Sequence, residues 1–229
     1  MKVQIPDSWP VTPDEAIALQ DRLRPLVITE NPAPPHFRTI AGLDSAYDDD
    51  GNVVAVAVVL DAATLETVDT ATAIGTTDFP YVPGLLAFRE LPTTLAALEK
   101  LSTTPDLIVC DSQGLAHPRR FGLACHLGLL VGLPTIGVAK NAWGDYAEPA
   151  PERGGTGEIT IDGEPVGRAL RTRTGVKPVF VSVGHRIDLD TACAQVLALT
   201  PEFRQPETTR RADRLCRRLL RELSATETA

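Results

Sequence analysis

No stretch of the 229-residue sequence approaches the roughly 18 consecutive apolar residues of a membrane-spanning helix, and residues 1–9 lack the charged start and apolar core of a signal peptide. A soluble, cytoplasmic protein with no membrane partner is expected. Cysteine is scarce: Cys110, Cys125, Cys193 and Cys216 form no CxxC pair and fall in apolar or helical segments. Buried thiols in a reducing compartment are therefore expected, rather than disulfides or a zinc site. There is no internal repeat, and the one glycine-rich tetrapeptide, GTGE at 155–158, lacks the strand, lysine and helix of a nucleotide loop. Positive charge is also short, with a net charge of -8 and only four lysines. That argues against a protein coated for nucleic acid, although it speaks to bulk solubility, whereas phosphate binding depends on local stripes. The window 166–187 holds five cations (Arg168, Arg171, Arg173, Lys177, Arg186) and no acid. It reads equally as a solvated strand face in an arginine-favouring chain.

What is present suffices for one core. A hydrophobic content of 43% over this length, with nothing dividing the chain, implies a single compact α/β domain over 1–229. Thr12, Pro13 and Glu15 form a capping box opening a helix with Ile17, Leu19, Leu23 and Leu26 as its apolar stripe. Residues 31–36, with three prolines, read as a linker. Strands at 39–47, 53–60 and 65–74 have short connections, which implies an antiparallel meander. Residues 84–90 read as a helical turn and 92–101 as a helix. After these come a strand from Leu107, a helix at about 118–131 and a strand at 135–139, whose alternation implies parallel strands. Residues 141–157 read as a mobile loop, and Asp162-Gly163 as a hairpin turn between 158–161 and 165–170. A strand at 179–183, a helix at 189–199 and a last helix from Glu207 complete the chain. That helix carries Ala212, Leu215, Cys216, Leu219, Leu220 and Leu223 at helical spacing.

Candidate chemistry centres on LIVCDSQGLAHPRR at 107–120. A buried strand ends on Asp111, at the carboxyl edge where open α/β sheets hold ligands; the same Asp, Ser and Gly also suit an ordinary turn. Period two places Asp44 on a strand face with Ile40, Gly42 and Ala46, where a carboxylate needs a cation or strong donors. Lys140 closes the neighbouring parallel strand at the same edge as Asp111. In 78–90, Pro80 and Pro83 flank Tyr81 and Val82 and Gly84 follows, a stiff loop holding an aromatic ring. Such a ring can wedge a base stack or pack as a lid. Glu90 and Asp213 both have surface readings, the latter as an ion pair with Arg217 four positions on.

Taken together, AGLDSAY at 41–47, PYVPG at 80–84, FRE at 88–90, HPRRFGLACHLGLL at 117–130, PTIGVAK at 134–140, GHR at 184–186 and PETTRRAD at 206–213 resemble endonuclease V, in the family's order and spacing. The resemblance covers about residues 10–220. It implies a ribonuclease H-like α/β fold: a mixed five-stranded central sheet, three strands antiparallel then parallel ones, flanked by helices, with an extra C-terminal hairpin and helices. It implies a monomeric endonuclease that cuts the second phosphodiester bond 3′ to deaminated adenine in nucleic acid, DNA favoured over RNA, in DNA repair. Mg²⁺, for which Mn²⁺ can substitute, would sit on Asp44 and Asp111, with Glu90 completing the cluster. His117 and Lys140 would steer the scissile phosphate or the attacking water, and Asp213 would lie near the metal. Pro80, Tyr81, Val82, Pro83 and Gly84 would form the wedge loop. Gly84, Leu86, Ser112, Gly122 and Leu123 would line the base pocket. Ser112 departs from the family, which usually has glycine there, so a changed base preference is a second reading. A non-cleaving inosine-binding or repair-scaffold protein is a third, against which the full acid and lysine set argues.

Overall fold

The computed structural model describes residues 1, 3–31 and 36–227, the side chains of 226 and 227 excepted. The expected linker at 31–36 therefore lies largely outside the described residues. Helix α1 (Pro13–Leu23) begins at the expected capping box, Thr12 accepting from Glu15 N while Glu15 reaches back. Its buried positions, however, are Ala16 and Gln20 rather than the leucines, and Leu26 is 59% exposed. Ala16, with Ile17 and Leu19 of the stripe partly buried beside it, packs on Phe79, Leu85 and Phe88, and the Gln20 amide donates to Gly84 O and Phe121 O.

Strands β1 (Thr39–Tyr47), β2 (Asn52–Asp61) and β3 (Thr67–Thr76) form the antiparallel meander. The middle strand, NVVAVAVVLD, is buried at every position but its ends, as expected of a strand covered on both faces. Strands β4 (Leu107–Cys110) and β5 (Thr135–Ala139) join in parallel to β1. The sheet does not stop there. Strand β9 (Val179–His185) pairs antiparallel with β5, and the hairpin of β7 (Thr156–Ile161) and β8 (Glu164–Leu170) extends from it. Among the described residues nine strands, the outermost being β6 (Asp145–Tyr146), run in the order β3-β2-β1-β4-β5-β9-β8-β7-β6, so the C-terminal hairpin continues the central sheet rather than standing beside it. Asp162 and Gly163 both have positive φ, 54° and 78°, the geometry a two-residue hairpin turn requires. The segment expected to be a loop contributes β6 (Asp145–Tyr146), which pairs with Ile159 and Thr160.

Helix α2 (Ala87–Glu99) is one continuous element through Pro92, where a turn and a separate helix were expected. A proline at the sixth position forfeits one intrahelical donor, and burial of Leu91, Leu95 and Leu98 against the sheet outweighs that loss. Helix α3 (Leu123–Val131) starts five residues later than expected. Residues 118–122 stay irregular because Arg120 adopts φ +54° and its guanidinium donates to Pro118 O and Ile161 O. Gly122 closes that segment: a Cβ there would lie 2.2 Å from Gln113 O.

Helices α2 and α3 cover one sheet face, packing on Ala41, Leu43, Ala57, Val59, Ile108 and Cys110. Helix α4 (Leu189–Ala198) packs on the other face beneath β4, β5 and β9. Helix α5 (Glu207–Glu227) crosses that same face over β1 and β2, burying Ala212 and Cys216 on Val54, Val56, Val58 and Leu60. Its close approach depends on Gly42, whose added Cβ would sit 2.2 Å from the Thr208 carbonyl carbon. All four cysteines are buried and free. No helix among the described residues is long and apolar enough to cross a membrane.

Candidate active site

Strand register brings the acids together. Leu43 lies opposite Cys110 in the parallel β1–β4 pair, so the next residues, Asp44 within β1 and Asp111 just past the end of β4, lie side by side. Glu90 reaches the same place from α2 on one face of the sheet, and Asp213 from α5 on the other. Asp44, Glu90 and Asp111 share a cavity of about 10 Å³, while Asp44, Glu90, Asp213, Lys140 and Arg217 line an open cleft of about 300 Å³. Lys140, at the end of β5, places Nζ 2.5 Å from Asp111 Oδ2; the lysine side chain is 42% exposed and the aspartate 8%.

The charges in this cleft are out of balance. Burial, then the neighbouring Asp111 and Asp213 carboxylates, push Asp44 up to about 7, with Lys140 opposing. Burial, then Asp44 and Asp111, push Glu90 up to about 8, with Arg89 opposing. Burial works against the Lys140 ammonium, but Asp111, Asp44 and Asp213 outweigh it and raise its pKa. A site whose carboxylates hold protons into the neutral range is one that a further cation would stabilise. Among the described residues no three His, Cys, Asp or Glu side chains converge into a ready-made metal cage. The donor set still fits a hard cation such as Mg²⁺, which keeps several waters and is bound through one or two carboxylates plus substrate phosphate.

Beside the acids lies a second cavity, about 120 Å³, walled by Gly84, Leu86, Ala87, Ser112, Gly122, Leu123, His117 and Trp143, with Gln20 and Gln113. Five of these, Gly84, Leu86, Ser112, Gly122 and Leu123, were singled out in the sequence. The Ser112 hydroxyl is buried there with no hydrogen-bond partner among the described residues. Ser112 lines the acid cavity too, so it stands between the two compartments.

Residues 80–84 are stapled to the fold at both ends. Phe79 O accepts from the Arg89 guanidinium, and Leu85 N donates to Val82 O. Gly84, at φ +84°, presents its carbonyl to three donors: Gln20 Nε2 at 3.0 Å, His117 Nε2 at 2.9 Å and Arg119 NH2 at 2.9 Å. Tyr81, between Pro80 and Pro83, is left 68% exposed at the tip. His117 therefore has a different post from the one expected. Its Nε2 donates to Gly84 O and its Nδ1 accepts from Arg119 N, so neither nitrogen is free for a phosphate or a water. Burial holds its pKa down at about 4, which keeps the ring neutral and suited to this clamp.

The remaining candidates sort as follows. Glu90 is a part-buried acid in the cleft, not a surface one. Asp213 does form the ion pair with Arg217, 2.9 Å, and also faces Asp44 and Lys140. The basic window at 166–187 dissolves: Arg171 is buried among Ala150 O, Val176 O and Pro149 O, Arg168 pairs with Asp190, and Lys177 donates to Asn141 Oδ1. Gln20, Gln113 and Trp143 were not foreseen. A buried helical glutamine at 20, where the stripe called for an apolar residue, carries no local sequence signal; Trp143, one of two tryptophans, does.

A mixed sheet flanked by helices, with carboxylates side by side on its adjacent β1 and β4, defines a ribonuclease H-like protein. Comparison with known proteins makes this specific: the model of the family described as Endonuclease V matches residues 21–214. The chain belongs to the endonuclease V family, a family of nucleases. It is 68% identical to endonuclease V of Nocardia farcinica, across 94% of this chain and 96% of that one. The solved structure of endonuclease V from Streptomyces avermitilis, 61% identical, superposes with a TM-score of 0.91 over 98% of this chain and all of the other. Endonuclease V from Ciona intestinalis, solved with a 24mer DNA containing an inosine followed by a ribo-adenosine, is 28% identical with a TM-score of 0.79, covering 92% of this chain and 98% of that one.

Proposed function

We propose that this chain is a Mg²⁺-dependent endonuclease that hydrolyses the second phosphodiester bond 3′ to a deaminated adenine, acting in DNA repair, with DNA preferred over RNA. The observation that carries the reading is the pair of carboxylates on adjacent strands, Asp44 within β1 and Asp111 just past β4, gathered with Glu90, Asp213 and Lys140 beside a separate lined cavity. The inosine-containing DNA bound to the Ciona relative supports the choice of substrate. Asp44 and Asp111 would hold the metal, with Glu90 completing the shell directly or through water. When bound, Mg²⁺ polarises a phosphoryl oxygen and lowers the pKa of a coordinated water; Mn²⁺ offers the same hard-ligand chemistry.

The chain's own groups do the rest. Lys140, a cation throughout the working pH range, neutralises charge developing on the phosphate and orients Asp111. Asp213 holds Arg217 at the mouth of the cleft. Tyr81 projects from its clamped loop to fill the gap left by an extruded nucleotide, whose base enters the cavity lined by Gly84, Leu86, Ser112, Gly122 and Leu123. His117 is a positioning residue for that loop. The whole of 1–229 works as one catalytic domain and as a monomer, and four buried, reduced thiols suit a cytoplasmic site.

A second reading concerns base choice alone. The unpartnered Ser112 hydroxyl can donate or accept, so it can favour a deaminated base other than hypoxanthine. The test is cleavage of matched 5′-labelled oligonucleotides carrying deoxyinosine, adenine or an RNA inosine, with Mg²⁺ or EDTA. Metal-dependent cutting one nucleotide beyond the deoxyinosine is expected. Tight binding to inosine without cutting refutes the nuclease, and cutting indifferent to the base shifts the reading to Ser112.

A further inference from the structure

Helix α5 carries a second surface that the acid cleft does not account for. Residues 210–221 hold six arginines and one acid, Asp213, in a chain whose net charge is -8. At 100° per residue, Arg210, Arg214, Arg217 and Arg221 fall within about 60° of one another, opposite the Ala212 and Cys216 face that packs on β1 and β2. The stripe spans roughly 16 Å at 1.5 Å per residue, comparable to five steps of 3.4 Å along one strand of a duplex. Arg214, Arg217 and Arg221 are exposed. Arg217 pairs with Asp213, and Arg210 is fork-paired to Glu207 and stacks on Phe203, whereas Arg214 and Arg221 have no hydrogen bond or ion pair among the described residues and are the free cations of the stripe. One point of the stripe is anchored: Arg217 lines the cleft that holds Asp44, Glu90 and Lys140.

We propose that this arginine stripe is a track for the phosphodiester backbone of the substrate, continuous with the cleft and lying outside the reacting bond. The inference rests on the nucleic-acid reading above. Clustered acids repel a polyanion, so a nuclease with this cleft needs positive charge nearby to hold the chain. Arginine suits the task, since its planar fork matches phosphate oxygens in pairs. The contacts are to backbone and read no sequence, so they raise affinity equally for DNA with and without a lesion.

The test is the double variant Arg214→Ala/Arg221→Ala in the full chain, with Arg214→Lys/Arg221→Lys beside it. Binding to duplex oligonucleotides with and without deoxyinosine is measured in EDTA across a salt series, and single-turnover cleavage at saturating enzyme with Mg²⁺. Each lost phosphate contact removes about 0.9 from the slope of log K against log salt. Between about 50 and about 200 mM salt the wild type therefore loses about tenfold more affinity than the alanine variant, for both duplexes. The lysine variant restores the slope, the saturated cleavage rate is unchanged, and thermal stability is unchanged because neither side chain has a partner to lose. An unaltered slope in the alanine variant overturns the track, and so does a fall confined to the cleavage rate. Failure of the wild type itself to cut the deoxyinosine duplex instead refutes the underlying function, which keeps the two outcomes apart.

Discussion

His126 should make this protein acid-labile in a way that one substitution isolates. The ring lies inside α3, 1% exposed, with the rings of Trp9, Phe88 and Phe121 at centroid distances of 5.8, 5.5 and 5.4 Å. Its Nδ1 has no hydrogen-bond partner among the described residues. Burial alone lowers its pKa from 6.5 to about 4. With the folded pKa depressed, the unfolded chain takes up a proton below 6.5 and the folded chain does not until about 4. The stabilising contribution is thus complete above 6.5 and is lost as pH falls through that window. At pH 5 the linkage amounts to about 2 kcal/mol, against less than about 0.1 kcal/mol at pH 7.5. The wild-type profile alone cannot display this, because Asp44 and Glu90, with raised values, lose stability as pH rises. His126→Leu keeps those groups and removes only the imidazole. Urea unfolding at pH 7.5 and 5.0 should show the variant gaining about 2 kcal/mol on the wild type at the lower pH, about 4 to 8 °C in Tm. A difference that does not change with pH refutes the argument. A change of opposite sign would show that the three ring faces stabilise the imidazolium more than burial penalises it.

Three further outcomes follow from the site. In EDTA, Glu90→Gln removes a carboxyl raised to about 8, whose contribution is complete below 4.5 and lost as pH rises through 8. The variant should gain about 3.5 kcal/mol on the wild type between pH 5 and pH 8 while losing cleavage, and a pH-independent difference in thermal unfolding counts against the buried, charge-crowded carboxyl. Asp111→Asn leaves Lys140 without its ion pair and should slow single-turnover cleavage by on the order of a thousandfold with the fold intact by circular dichroism; a loss under tenfold rules out a direct role. Ser112→Gly removes the unpartnered hydroxyl and should change the ratio of deoxyinosine to other deaminated bases by about tenfold in competition cleavage, the size of one hydrogen bond. An unchanged ratio assigns base choice to the backbone.

Legibility in the sequence followed the range of the forces involved. Strands were readable because the continuous apolar run of β2 and the Asp162-Gly163 turn are local patterns. So were Asp44, a carboxylate on an otherwise apolar strand face, and Asp111 and Lys140, each of which follows a hydrophobic strand; register does the rest. Helix α2 was read as two pieces because proline's local penalty is visible at Pro92, whereas the compensating burial of Leu95 and Leu98 against β2 is not. His117 was assigned to the phosphate for a similar reason. One partner, the amide of Arg119, is local, but the other, Gly84 O, lies 33 residues away and becomes a neighbour only through the tertiary fold. The basic window at 166–187 misled because charge counted along a chain ignores what the charges face, and carbonyl oxygens had already claimed Arg171.

The same distinction explains how an acidic chain can hold a polyanion. The carboxylates are gathered where two strands, α2 and α5 converge, and burial, with their mutual repulsion added to it, raises the values of Asp44 and Glu90 toward and past neutrality. Such a cluster is tolerated only if a cation resides there when the substrate arrives, because two neighbouring anions would otherwise repel a third. Lys140 supplies part of that charge from β5, and Arg217 another part from α5. Helix α5 is thus amphipathic in two senses: Ala212 and Cys216 fix it to the sheet, Gly42 lets it approach closely enough for Asp213 to reach the cleft, and its outer face carries arginine away from the acids. Adding a side chain at Gly42 should therefore disturb more than packing. It would lift the helix off β1 and move Asp213 and Arg217 together, so Gly42→Ala should lower substrate affinity and cleavage rate jointly, whereas removing Arg214 and Arg221 lowers affinity alone.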